Sequence, residues 1–157
     1  MAHILLVDDN RTFIYAGREL LLRHRPTFVV DTALDAETAL IAIRTQDYDV
    51  VVSDLVLPGL DGIALLYECH QIHPDTPVIL ISGYGDMQLE KLAAQRGAYA
   101  FLHKPVDPDV LFSVVNRAVL RANMRRRPKE VRGTDGVCHP QAEQTRRGTV
   151  TQDDSSL

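Results

Sequence analysis

The sequence predicts an α/β fold: a doubly wound, five-stranded parallel sheet with strand order 2-1-3-4-5. Two observations predict it. Short apolar runs rich in Val, Ile and Leu alternate with helical patterns up to about residue 126. That alternation belongs to a parallel sheet covered on both faces. The runs also end in polar residues of particular types. ILLV ends in Asp8–Asp9, the Val50–Val52 run leads to Asp54, VILI ends in Ser82–Gly83, and AFLH ends in Lys104–Pro105. Strand C-termini share one edge of a parallel sheet, so these residues converge. The chosen order sets strands 1 and 3 side by side at the switch point, which brings Asp8, Asp9 and Asp54 into one crevice.

Taken in order, strands are expected near residues 3–7, 27–31, 49–53, 78–82 and 100–103, all short and buried in pattern. The first helix carries Phe13, Ile14, Gly17, Leu20 and Leu21 on one face. The second carries Ala36, Ala39, Leu40 and Ile43, with Asp35 as N-cap. Asp61 caps a third helix whose core face is Leu65, Leu66, Cys69 and Ile72. Asp86 caps a fourth over Met87–Arg96, and Gly97 suits the left-handed position after it. Asp107–Pro108 reads as an N-cap followed by proline at the first helical position, opening a fifth helix through Leu111, Val114, Val115 and Ala118. The result is a flavodoxin-like (βα)5 arrangement.

The bulk numbers set bounds. A chain of 157 residues suits one domain with a real core. That domain is expected over 1–126. Residues 127–157 are Gly, Thr, Gln, Arg and Asp with almost no apolar period, and read as a disordered basic and polar tail without an output domain. The net charge of −4 hides an asymmetry: residues 1–120 carry −7 and residues 121–157 carry +3. No apolar run approaches the roughly 18–20 residues of a membrane span. The N-terminus enters a strand pattern directly, without a basic-then-apolar leader, so no signal peptide is expected. Cys69 and Cys138 form neither a disulfide framework nor a metal spacing, and a cytoplasmic location follows.

Several polar residues have plain readings. Asp61, Asp86 and Asp107 are caps rather than site residues. Cys69 belongs to a core stripe, and His70 and His73 look like a solvated face beside it rather than a metal site. Cys138–His139 is incidental. Arg125–Arg127 is a frayed, solvated helix end, and nucleic-acid binding is not expected.

The crevice itself has a distinct chemistry. Two like charges about 4 Å apart repel by roughly 4 kcal/mol at an effective dielectric near 20. Three carboxylates together need a cation or a raised pKa. Oxygen ligands favour Mg²⁺, which keeps several waters and commonly bridges to phosphate. A carboxylate can also act as a nucleophile and become an acyl phosphate. Lys104 would neutralise phosphate oxygens, and the Ser82 hydroxyl could donate to one.

Asp8–Asp9, Asp54, Ser82–Gly83 and Lys104–Pro105, with the stretches DLVLPGLDG and GAYAFLHKPVD, resemble the receiver domain of two-component response regulators over about residues 2–122. The resemblance implies that Asp54 accepts a phosphoryl group from a phosphohistidine on a sensor kinase or a histidine phosphotransfer protein. It implies Mg²⁺ bound by Asp9, Asp54 and the Val56 carbonyl, with Asp8 acting mainly through water. Ser82 and Phe101 take the switch roles, and Lys104–Pro105 corresponds to a cis peptide. Val56 and Tyr84 occupy positions where members of the family differ, often with polar residues that place the attacking water. An apolar branch and an aromatic ring there imply a slowly decaying phosphorylated state. Leu57 stands where methionine is common.

Phosphorylation of Asp54 would then bias a face built from helix 4, strand 5 and helix 5. The signal would leave by contact with a downstream protein or by onward phosphotransfer. Helix 4 to helix 5 homodimers occur in the resembled family. Three alternatives differ in class. A degenerate receiver would act as a constitutive binding module. An aspartate-nucleophile phosphatase of the haloacid dehalogenase type needs a second Asp where Val56 stands. A flavodoxin-like electron carrier would meet Asp8–Asp9, which repel a flavin phosphate.

Overall fold

The apolar runs become five strands: β1 (His3–Val7), β2 (Val29–Ala33), β3 (Val50–Asp54), β4 (Val78–Ser82) and β5 (Ala100–His103). Between and after them lie α1 (Arg11–His24), α2 (Ala36–Thr45), α3 (Gly62–Ile72), α4 (Met87–Gln95) and α5 (Pro108–Arg126). These elements come from a computed structural model that describes residues 1–83 and 87–126. Met1–Asn123 forms one compact unit, and the sheet lies wholly within it. The expected tail and the Asp86 cap lie outside the described residues.

All strand pairs are parallel, in the order β2-β1-β3-β4-β5. Alternate side chains point to opposite faces, and the sheet therefore builds two cores. Ile4, Leu6, Val50, Val52, Ile79 and Ile81 pack with Ile14 and Leu21 of α1 and with Leu111, Val115 and Ala118 of α5. Leu5, Val7, Val51, Val78 and Leu80 pack with Ala39 and Ile43 of α2, Leu65, Leu66 and Cys69 of α3, and Ala93 of α4. Burial raises the Cys69 thiol pKa to about 12, so it behaves as an apolar filler.

Helix ends follow their expected caps. Asp35 accepts from the Thr38 N–H at 2.7 Å, Asp61 from the Ala64 N–H at 2.7 Å, and Asp107 from the Asp109 N–H at 2.8 Å. Gly97 has φ +93 after α4. Asn10, unread in the sequence, caps α1 by accepting from the Thr12 and Phe13 N–H groups.

Three expectations need correction. β2 starts two residues late because the Phe28 N–H closes a turn onto the Arg25 carbonyl at 3.0 Å; β3 starts one residue late. The outer strands are not fully buried: Val29 of β2 is 38% exposed and β5 is half-buried, as expected of strands with a neighbour on one side only. The two histidines are not a solvated face. His70 Nε2 lies 3.1 Å from the Thr76 carbonyl and His73 Nε2 lies 3.0 Å from the Ile43 carbonyl, so both tie the end of α3 to neighbouring backbone.

Candidate functional site

The C-terminal edge of the sheet gathers the expected residues. Asp54 ends β3 and sits level with Ile81, one residue before Ser82 ends β4. Asp8 follows β1, where its N–H donates to the Ala33 carbonyl of β2 at 3.1 Å. Lys104 follows β5, anchored by its N–H on the Ser82 carbonyl at 2.7 Å. The Lys104–Pro105 peptide is cis.

Side chains complete the cluster. Carboxylate oxygens of Asp8, Asp9 and Asp54 lie within 4.8 Å of one another. Asp8 and Asp54 are buried and Asp9 is exposed. Lys104 Nζ donates to Asp8 Oδ2 at 2.8 Å and to Asp54 Oδ2 at 3.1 Å, so one ammonium bridges both buried acids. The other oxygens are held by backbone: Asp8 Oδ1 accepts from the Asn10 N–H, and Asp54 Oδ1 from the Val56 N–H. Asp9, Asp54, Val56, Gly83 and Lys104 line a cavity of about 350 Å³ that opens at this edge.

Electrostatics follow from that packing. Burial pushes the Asp54 carboxyl above its ordinary value and the Asp8 charge adds to this, while the Val56 N–H and Lys104 pull it down. Burial works against the Lys104 charge, but Asp8 and Asp54 outweigh it and hold the ammonium above its ordinary value. One lysine meets two of the three carboxylates, so a divalent cation with oxygen preference fits the remaining charge.

Not every expected residue joins the cavity. Ser82 is fully buried at the end of β4. Phe101 is half-buried against the core on the α2–α3 side, its ring edge-on to His103 at 5.3 Å. Tyr84 lies outside the described residues. Two residues had a place at the site that the sequence reading missed. Gly62 opens α3 directly beneath the Asp54–Leu55 backbone, and its N–H donates to the Leu55 carbonyl at 2.7 Å. Phe13, read only as core, places its ring 4.6 Å from Lys104 Nζ. The sole sequence signal for it was an aromatic four residues after Asp9.

A family model described as the response regulator receiver domain matches residues 4–116. This chain belongs to that family. The receiver is 41% identical over 118 residues to the C4-dicarboxylate transport transcriptional regulatory protein DctD of Pseudomonas aeruginosa, covering 74% of this chain and 25% of that protein. It is 34% identical to the nitrogen assimilation regulatory protein NtrX of Azorhizobium caulinodans, covering 84% and 29%. The crystal structure of NtrX from Brucella abortus superposes with a TM-score of 0.74 at 37% identity, covering 85% and 29%. The chain thus spans about a quarter of the length of the curated relatives it matches. Receivers are signalling modules of bacterial two-component systems and bind Mg²⁺ through acidic residues. Among the described residues, no helix is long and apolar enough to cross a membrane.

Proposed function

We propose that this receiver is cytoplasmic and accepts a phosphoryl group on Asp54 from a phosphohistidine of a sensor kinase or histidine phosphotransfer protein. The observation that carries the reading is the bridging ammonium. Lys104 ties Asp54 to Asp8 at an edge where Asp9 is also within reach. An Asp54 carboxylate oxygen forms the new O–P bond as the donor's P–N bond breaks. The leaving imidazole nitrogen takes the electron pair and then a proton from solvent. Asp9, Asp54 and the Val56 carbonyl would hold Mg²⁺, with Asp8 acting through water. The bound ion would supply positive charge for the phosphoryl oxygens. Lys104 is freed from Asp54 as that carboxylate is esterified, and its ammonium turns to the phosphoryl group. Ser82 donates its hydroxyl to the same group, and Phe101 turns inward.

The outcome is a switch rather than turnover of a substrate, read on the α4–β5–α5 face by a downstream protein, a second copy or a further phosphotransfer step. A transcriptional output is a second reading, favoured by relatives named as transcriptional regulators. The deciding experiment is intact-protein mass after incubation with acetyl phosphate and Mg²⁺. A gain of one phosphoryl group, lost with Asp54→Asn and with a chelator, is expected. An equal gain in Asp54→Asn would sink the assignment.

Val56 supports a long-lived phosphorylated state. It is 55% exposed at the rim of the cavity, where a branched apolar group covers the acyl phosphate without placing water. Val56→Asn, alone and with Tyr84→Glu, is expected to speed Mg²⁺-dependent decay. Unchanged decay in both variants would remove the idea.

A further inference from the structure

We propose that Phe13 is a positioning residue for the phosphoryl chemistry, acting through Lys104. The inference rests on the reading of Asp54 as acceptor. Among the described residues, Lys104 Nζ meets Asp8 Oδ2 at 2.8 Å, Asp54 Oδ2 at 3.1 Å and the Phe13 ring centroid at 4.6 Å. The ring lies well inside the roughly 6 Å over which an aromatic face attracts a cation. The contact is backed by local structure. Phe13 sits in the first turn of α1, and its N–H is tied to the Asn10 cap, so the ring is carried on the same segment that presents Asp8 and Asp9.

The ring has a role that the carboxylates cannot fill. When Asp54 becomes an acyl phosphate, the ammonium loses its bond to that carboxylate oxygen and must stay aimed at the transferred group. Asp8 alone fixes it at one point. The Phe13 face adds a second, non-titrating contact present before and after transfer. With acetyl phosphate as donor, the Asp54 oxygen forms the O–P bond, the donor P–O bond breaks, and acetate leaves with the electron pair. Lys104 steadies the charge on the phosphoryl oxygens throughout. A misplaced ammonium loses its aim at the phosphoryl oxygens and its 3.1 Å contact with Asp54 Oδ2, and transfer slows.

Phe13 also lines a cavity of about 530 Å³ between α1 and the start of α5, shared with Leu20, Val106 and Leu111. A tyrosine hydroxyl therefore has space, which makes Phe13→Tyr the conservative variant and Phe13→Leu the one that removes the π face while keeping an apolar side chain.

The experiment uses the full chain with acetyl phosphate and Mg²⁺. Phe13→Leu is expected to slow phosphorylation by about threefold to tenfold, and Phe13→Tyr to restore it. In a Lys104→Gln background, Phe13→Leu is expected to have no further effect; a purely structural role for the ring would slow both backgrounds equally. The Lys104 ε-methylene proton resonances, shifted upfield by the ring current, should lose that shift in Phe13→Leu and keep it in Phe13→Tyr. Unchanged resonances in Phe13→Leu, or equal loss of rate in the Leu and Tyr variants, would overturn the proposal. The NMR signature needs no phosphoryl chemistry. If the wild-type protein took no phosphoryl group, the reading of Asp54 would fall, and the resonances would still decide for or against the contact.

Discussion

Gly62 stands where the loop after Asp54 meets α3. A Cβ there would lie 2.5 Å from the Asp54 carbonyl oxygen and 2.9 Å from the Leu55 Cα, and backbone atoms cannot swing aside. Gly62→Ala is therefore expected to destabilise by about 1–3 kcal/mol and to shift Asp54. Urea unfolding and Mg²⁺-dependent phosphorylation would read the two effects, and wild-type values in both would refute the steric account. Gly59 in the same stretch is constrained differently: nothing lies near its Cβ position, but its φ of +86 suits glycine. Both glycines are visible in DLVLPGLDG, yet the letters do not say which one is held by contact. Tyr48 is a further case. It is fully buried, and its hydroxyl donates to Asp31 Oδ2 at 2.8 Å, beside His3 Nε2 on the same oxygen at 2.7 Å. Burial, with Asp31 adding, pushes its phenol well above the ordinary value. No local pattern announced this network at the opposite edge of the sheet.

The helices owe their boundaries to caps, and those of Asp35, Asp61 and Asp107 were legible because a cap is a local event, while Asn10 went unread. Asp35 illustrates the pH consequence. Hydrogen bonds from Thr38, then from the Glu37 N–H, favour its charged form and hold its carboxyl below the ordinary value, against a small effect of burial. A depressed folded-state pKa gives stability that is present above the unfolded value and lost as pH falls through the folded one. Asp35→Ser keeps an acceptor at the cap without a titrating group. Its thermal midpoint is expected to fall less steeply than that of the wild type below about pH 4. Parallel acid limbs would contradict the argument. Strand boundaries were less legible than caps, because the turn that delays β2 is set by a hydrogen bond from Phe28 back to Arg25.

At the scale of the molecule, the sheet order decides the charge balance. Adjacent β1 and β3 place buried Asp8 and Asp54 under one ammonium, and Asp9 leaves the site with surplus negative charge. A cation that binds only the folded state stabilises it. Mg²⁺ at about ten times its Kd is expected to add roughly 1.4 kcal/mol, lost in Asp9→Asn. Chemical unfolding with and without Mg²⁺ measures this, and equal stabilisation of the Asp9→Asn variant would place the ion elsewhere.

The sequence by itself determined the βα alternation, the caps at Asp35, Asp61 and Asp107, and the identities of the residues at the strand ends. Periodicity, capping and turn chemistry act over a few residues and leave marks in the string. The strand order followed from it only through the general rule for doubly wound sheets. Tertiary structure alone decided that Lys104 bridges Asp8 and Asp54, residues 96 and 50 positions away. It also set the Phe13 ring beside that ammonium, pressed Gly62 against the Asp54–Leu55 backbone, and turned His70 and His73 onto backbone carbonyls. The Lys104, Phe13 and His73 contacts join segments distant along the chain, while those of His70 and Gly62 close over shorter loops. Their geometry is set by how the helices pack on the sheet, and no short window of sequence holds that information.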